Sequence, residues 1–342
     1  MSHQQDERWS RREFLGGMAL AGTAGLLGLQ AEPAAAEPPP ETTKIVLRRP
    51  PGPGGACIAP QWVAEELLRG EGFTDVQYPR KGRVDSLRAL AAGDVHIDSG
   101  FIGNFLAQVD AGDPVVVLTG IHVGCFELFA TDRVRTIRDL KGKTVSVTEL
   151  GSGRHFFLAS AMAYVGLDPG KDVKFVEHPP AESMRLLAEG KIDAYQAFAE
   201  DLQELRAKKI GRSVLNSTLD RPWSQYFCCM LAGHREFVRK HPVATKRAVR
   251  AILKANSICA LEPDRATRFL VEKGYAREYG YTLQMLKELQ YTRWRDRDPE
   301  DTLRFYALRL REAGMIKSTP QKLIAQGTDW RFLNELKKEL KG

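Results

Sequence analysis

The run Gly151-Ser152-Gly153-Arg154-His155 sets a hydroxyl and a guanidinium among small residues, directly ahead of an apolar helical stretch. Backbone N–H groups at such a helix start can approach a ligand, and the helix dipole favours negative charge there. Ser152 would donate a hydrogen bond, and Arg154 would fork onto a carboxylate or sulfonate. The alternative is that Ser152 caps its own helix and Arg154 is a surface residue. Gly54-Gly55-Ala56-Cys57 forms a second small-residue turn before a helix, where a ligand could lie close to the backbone. Ser99-Gly100-Phe101 and Tyr195-Gln196 follow or end strand-like runs, and His122 ends another. Arg83, in the basic loop with Arg80 and Lys81, could gate an anion. Phe101, Tyr195 and Trp223 could stack on a planar ligand. The candidate ligand-binding set is therefore Gly55, Ala56, Cys57, Arg83, Ser99, Gly100, Phe101, His122, Gly151, Ser152, Gly153, Arg154, Tyr195, Gln196 and Trp223.

The cysteines give less. Cys57, Cys125, Cys228, Cys229 and Cys259 are odd in number and have neither CxxC nor zinc-ligand spacing with histidine,. They read as small core residues. On a strand, the neighbours Cys228 and Cys229 would face opposite sides. No GxSxG, HExxH or phosphate-binding loop occurs. No enzyme, metal or cofactor is expected on these grounds.

Strand and helix patterns alternate in the segments that carry the candidates. Lys44–Arg48, Thr74–Tyr78, Val95–Asp98 and Val115–Leu118 read as strands. Helices are expected over Ile58–Arg69, Asp85–Ala92 and Gly103–Ala111. The pattern restarts with strands at Phe126–Thr131, Thr144–Val147, Val173–Glu177 and Ile192–Phe198. Helices at His155–Val165 and Ala181–Glu189 lie between them. This alternation predicts parallel, helix-covered sheets. The phrases SLRALAAGD at Ser86 and SMRLLAEGK at Ser183 each join an amphipathic helix, a Gly cap and a strand. Two similarly built halves are implied. Gln225–Ala232 is an apolar strand, and the remainder is mostly helical.

Composition fits two such halves. The chain has 342 residues, 43% of them apolar and 27% charged, which excludes a disordered or fibrous protein. The formal charge of +7 is spread among acidic residues, so no nucleic-acid partner is expected. Ser10-Arg11-Arg12-Glu13-Phe14-Leu15 precedes an apolar stretch from Gly16 to Leu29, then Ala34-Ala35-Ala36. That stretch is shorter than the roughly 20 residues of a membrane span. It reads as a twin-arginine signal peptide over residues 1–36, cleaved after Ala36, with a periplasmic destination.

Several motifs carry a family resemblance: SLRALAAGDVHID at Ser86–Asp98, AGDPVVV at Ala111–Val117 and TIRDLKGKTVSV at Thr136–Val147, with Gly151-Ser152-Gly153 behind it. Leu167-Asp168-Pro169, AEGKIDA at Ala188–Ala194 and FVRKHP at Phe237–Pro242 agree with it. The chain resembles the NMT1/THI5-like superfamily, which includes substrate-binding proteins of ABC importers for nitrate, sulfonates and taurine. The resemblance implies an α/β, bilobal periplasmic-binding-protein type II fold with two doubly wound lobes. Lobe 1 would comprise residues 44–125 plus 231–342, and lobe 2 residues 131–226. Crossover hinge strands would lie near 126–131 and 226–232. It further implies a monomer that captures a small anionic organic ligand and delivers it to an ABC permease and its ATPase. Other readings of the same fold are a ligand sensor and a thiamin-pyrimidine-synthase-like enzyme. The enzyme branch uses a Cys-rich stretch aligned near Phe227-Cys228-Cys229-Met230.

Overall fold

The computed structural model describes residues 37–49, 55–79, 88–198 and 200–340. Residues 1–36, expected as a signal peptide, and Arg80, Lys81 and Arg83 lie outside the described residues. Two sheets organise the chain. In the first, β1 (Lys44–Val46) pairs in parallel with β2 (Asp75–Gln77). A three-stranded sheet sets β10 (Phe227–His234) antiparallel between β3 (Ile97–Phe101) and β4 (Val115–Val123). The Leu47–Ile97 bridge and a 2.8 Å bond from His96 N to Val46 O join these pieces. The continuous order is β2-β1-β3-β10-β4.

The second sheet has the order β7-β6-β8-β5-β9. Its strands are β5 (Phe126–Ala130), β6 (Lys143–Val147), β7 (Val173–Glu177), β8 (Ala194–Phe198) and β9 (Arg212–Asn216). β6 runs parallel to both neighbours, whereas β5 is antiparallel to β8 and β9. Each sheet thus contains one antiparallel strand, in the same relative place. The chain passes between sheets at Gly124-Cys125 and again over residues 217–226. The hinge strands expected near 126–131 and 226–232 coincide closely with β5 and with the start of β10, each in one sheet directly after a crossing. All nine residues of β4 are buried, as an apolar strand covered on both faces requires.

Among the described residues, twelve α-helices cover the sheets. They are α1 (Gly55–Gly70), α2 (Ile102–Asp110), α3 (Gly153–Tyr164), α4 (Pro180–Ala188), α5 (Glu200–Lys208), α6 (Arg235–Lys240), α7 (Pro242–Leu261), α8 (Pro263–Glu272), α9 (Tyr279–Glu288), α10 (Pro299–Glu312), α11 (Pro320–Gly327) and α12 (Arg331–Glu339). α1 packs on α7, and its Trp62 stacks on Tyr275 with ring centroids 4.5 Å apart. α10 packs against both α2 and α3, so it ties the two sheets together. Its Tyr306 meets Phe101 of β3 edge-on, and Phe101 in turn meets Phe126 of β5. Among the described residues no helix is long and apolar enough to cross a membrane.

Residues 88–93 form turns where the sequence pattern predicted the end of a helix. Three elements had no sequence expectation: α5, β9 and α11. α5 reads EDLQELRAK, with few apolar positions to reveal a face. β9 is a five-residue edge strand, RSVLN, whose pairing with β5 supplies its order.

Candidate functional site

A cleft of about 980 Å³ opens between the sheets, at the C-terminal ends of their parallel strands. Ligands bind at that end of open α/β sheets. On the first side, Arg48 follows β1, and Asp98, Ser99, Gly100 and Phe101 end β3. Arg48 Nε donates to Asp98 Oδ2 at 2.7 Å, with both side chains buried. Gln61 braces this pair: its Nε2 donates to Arg48 O at 2.7 Å, and its Oε1 accepts from Ser99 N at 2.8 Å. Burial raises the Asp98 pKa, and the Arg48 charge opposes that rise. Asp98 Oδ1 and Ser99 Oγ are buried and have no hydrogen-bond partner among the described residues. Native structures rarely leave such atoms unsatisfied.

On the second side, the loop after β6 supplies Thr148 to Gly153, and α3 supplies Arg154 and Phe156. Ser152 caps α3: its Oγ accepts from His155 N at 3.5 Å and donates to Glu149 O at 2.6 Å. Gly151 has a φ of +81°, which a residue with a Cβ rarely adopts. Gly153 is needed for another reason. A Cβ there would come within 3.1 Å of Asn104 Oδ1 and 3.3 Å of the Phe101 Cβ. Asn104 Nδ2 also donates to Gly151 O at 3.2 Å, which links the two sides.

Arg154 does not stand free in the cleft. Its Nη1 lies 2.5 Å from Asp201 Oδ2 and donates to the Tyr195 hydroxyl at 2.7 Å. That hydroxyl donates to Asp201 at 2.7 Å and completes a triangle. Burial works against the Arg154 charge, but Asp201 more than compensates and raises its pKa. The described lining holds Arg48, Arg88 and Arg154 against Asp98, Glu149 and Asp201. Its formal side-chain charge is balanced, and the starts of α2 and α3, which face the cleft, each favour negative charge,. Phe101, Phe105, Phe126, Phe156 and Phe198 give the cleft a large apolar surface.

Of the expected contacts, Cys57, Ser99, Gly100, Phe101, Gly151, Ser152, Gly153 and Arg154 line the cleft. Gly55 and Ala56 open α1 beside it. Four expectations are corrected. His122 is fully buried, with Nε2 2.9 Å from Cys57 O and its ring against Tyr291. Tyr195 is buried and acts through Arg154 and Asp201. Gln196 is buried, and its Nε2 donates to the Glu127 and Ala197 carbonyls. Trp223 is buried among Phe157, Tyr164, Phe305 and Tyr306. Their side chains leave the sheet on its covered side or enter the core, a distinction that strand-end position alone does not give. The sequence reading missed Arg48, Asp98, Asn104 and Asp201. A basic residue directly after β1 and an acidic one on β3 gave a signal only once the strands were known to be neighbours.

The expectation for Cys228 and Cys229 also fails. The β10–β4 register shifts between Phe227 and Cys229 and again between Cys229 and Met230. This bulge leaves Cys228 without a partner on β4 and brings both thiols to Cys125. Bulges re-aim side chains in this way. All five cysteines are buried and outside any disulfide. Burial raises the Cys125 and Cys228 thiols, and Cys229, hydrogen-bonded by Cys125 and Cys228, is the acidic member.

Comparison with known structures decides the architecture. The periplasmic nitrate-binding protein NrtA from Synechocystis PCC 6803 superposes with a TM-score of 0.70 at 14% identity, over 89% of this chain and 90% of that one. The fold is that of periplasmic binding proteins. The alkanesulfonate-binding protein SsuA from Xanthomonas axonopodis pv. citri, bound to MOPS, shares this periplasmic-binding-protein fold with a TM-score of 0.64. It is 15% identical, over 86% of this chain and 100% of that one. The desulfurization enzyme DSZB also shares the fold, with a TM-score of 0.59 at 16% identity, over 86% of this chain and 99% of that one. A family model described as the NMT1-like family matches residues 127–273, the same superfamily that the sequence motifs indicate. No curated protein matches the chain.

Proposed function

We propose that this chain is an extracytoplasmic solute-binding protein that captures a small organic acid in the cleft and passes it to a membrane importer. The observation that carries this reading is the pair of buried polar atoms, Asp98 Oδ1 and Ser99 Oγ, left without protein partners in a cleft lined by phenylalanines. A ligand with a hydrogen-bond donor satisfies Asp98, and an acceptor satisfies Ser99. An acidic end is favoured near the α3 start, where the helix dipole is positive. An apolar body suits the phenylalanine surface. The balanced side-chain charge argues against a bare inorganic anion as the preferred cargo.

The two sheets would act as the two lobes, hinged at Gly124-Cys125 and residues 217–226, and close on the ligand. Nitrate- and sulfonate-binding relatives with this fold support capture for import. The enzyme reading has one specific support, the Cys57 and Cys229 side chains in the cleft wall. However, the His122 Nε2 is 2.9 Å from the Cys57 carbonyl and is not arranged as a base for that thiol.

A thermal-shift panel of aliphatic and aromatic carboxylates, sulfonates and nitrate tests the proposal. A ligand at a hundredfold excess over its Kd stabilises by about 2.7 kcal/mol, which gives a clear midpoint shift. Ser99→Ala should weaken binding of the responding compound about tenfold, the cost of one good hydrogen bond. It should leave the ligand-free midpoint nearly unchanged, because Ser99 Oγ has no protein partner to lose. No shift with any organic acid would sink the proposal.

A further inference from the structure

Three of the five cysteines meet beside the crossing between sheets, and a fourth, Cys57 in the cleft wall, approaches Cys125. Cys57 comes from the first turn of α1, Cys125 from the crossing itself, and Cys228 and Cys229 from the start of β10. The sulfurs of Cys125, Cys228 and Cys229 lie within 4.8 Å of one another. Cys57, Cys125 and a ring nitrogen of His122 form a second group within the same distance. Two unfavourable backbone features produce this convergence. One is the bulge at Cys228. The other is a φ of +125° at Cys125, a region that favours glycine. Strain kept at a residue of one particular chemistry points to a use for that chemistry. Cysteines serving only as core residues have no need to converge on one another.

We propose that Cys57, Cys125, Cys228 and Cys229 hold one thiophilic d10 ion, Zn²⁺ or Cu⁺, as a staple at the floor of the cleft. Thiolate sets select these ions. A Zn–S distance of about 2.3 Å implies a tetrahedral sulfur–sulfur edge of about 3.8 Å. The Cys125, Cys228 and Cys229 sulfurs therefore need to contract by about 1 Å at most, and Cys57, within 4.8 Å of Cys125, swings toward the other two as the fourth ligand. Binding displaces the thiol protons to solvent as the metal–sulfur bonds form. The start of α1, in whose first turn Cys57 lies, offsets part of the thiolate charge,. His122, held on the Cys57 carbonyl, positions that ligand from outside the metal shell. Cys57 and Cys229 also line the cleft, which gives the ion a path of entry. Cys259 is buried elsewhere and takes no part.

The test uses the full chain, purified under reducing conditions without added metal. Elemental analysis should find about one zinc or copper ion per chain. Anaerobic Co²⁺ titration of the metal-stripped protein should develop thiolate-to-metal charge-transfer bands that saturate at about one equivalent. Displacement by Zn²⁺ against displacement by Cu⁺, buffered by a copper(I)-specific chelator, tells the two ions apart. Cys125→Gly should fold well, since glycine accepts the strained φ, yet lose stoichiometric binding. Cys229→Ser should lose it too, and Cys259→Ser should keep it. The inference is overturned if the folded wild type binds no ion. It is equally overturned by Co²⁺ binding that survives Cys125→Gly, or by a disulfide among the four in the freshly purified protein. None of these readouts depends on the transport ligand, so this test stands or falls separately from the proposed function.

Discussion

The first and second sheets have the same strand order, and each places an Arg–Asp pair beside the cleft. The pairs are built differently. Arg48–Asp98 joins two neighbouring strand ends, and its side chains are 6% and 2% exposed. Arg154–Asp201 joins two helix starts, is 13% and 14% exposed, and has Tyr195 as a third member. The first pair leaves Asp98 Oδ1 without a partner, whereas the second is closed by its own hydrogen bonds. The lesson is that the same topology can make one side ready to receive a ligand and the other rigid enough to hold the wall. The second sheet also presents a capped Gly-Ser-Gly turn, stitched by Asn104 to the first side.

Removing the cations should break this comparison most sharply. Arg48→Met leaves the Asp98 carboxylate buried without its cation and should cost about 3–5 kcal/mol in urea unfolding. Arg154→Met should cost about 1–3 kcal/mol, the range of one or two charge-assisted bonds, because Asp201 keeps Tyr195 and more water. Arg48→Met combined with Asp98→Leu should recover most of the first loss. Equal costs for the two single variants would erase the distinction.

Histidines sharpen it next. Burial, aided by Lys44, lowers His96 from 6.5 to about 4. His96 supports the first sheet, accepting from Val46 N through Nδ1 at 3.3 Å and stacking on Phe237. Between pH 6.5 and 4 the unfolded chain binds this proton and the folded chain does not. Stability from this group is therefore present above that window and lost as the pH falls through it, by up to about 1.4 kcal/mol per pH unit. His155, beside the second sheet, is lowered by burial as well. His96→Gln should flatten the pH dependence of the urea midpoint more than His155→Gln does. The reverse order would show that the second sheet carries the acid sensitivity.

Two glycines with positive φ give the smallest contrast. At the crossing, a Cβ on Gly124 would sit 2.1 Å from Thr218 Oγ1, at a φ of +86°. Gly124→Ala should cost about 2–3 kcal/mol from overpacking and strain together. Gly151, at a φ of +81°, has nothing within 4 Å of its Cβ position. Gly151→Ala should cost about 1 kcal/mol, from backbone strain alone. Thermal or urea midpoints would separate the two.

Most of the second sheet was legible in the sequence, because apolar runs such as Thr144–Val147 alternate with amphipathic helices at short spacing. Gly151-Ser152-Gly153 was legible for the same reason: a turn, a cap and a helix are local features. The antiparallel place of β10 was not legible, since residues 124–226 separate β4 from β10 and no local pattern names a strand's neighbour. Arg48 and Asp98 remained hidden for that reason, and so did the inward burial of His122 and Gln196.

The sequence by itself determined most of the strands and helix starts, and that small residues and an arginine would stand at one cleft edge. These follow from side-chain periodicity and capping, whose range is a few residues. Only the tertiary structure decided which charges neutralise one another, and which polar atoms remain for a ligand. It also decided that a bulge and a strained crossing bring Cys125, Cys228 and Cys229 together and leave Cys57 beside Cys125. These outcomes depend on strand pairing between distant segments, and a one-residue slip of register would undo them.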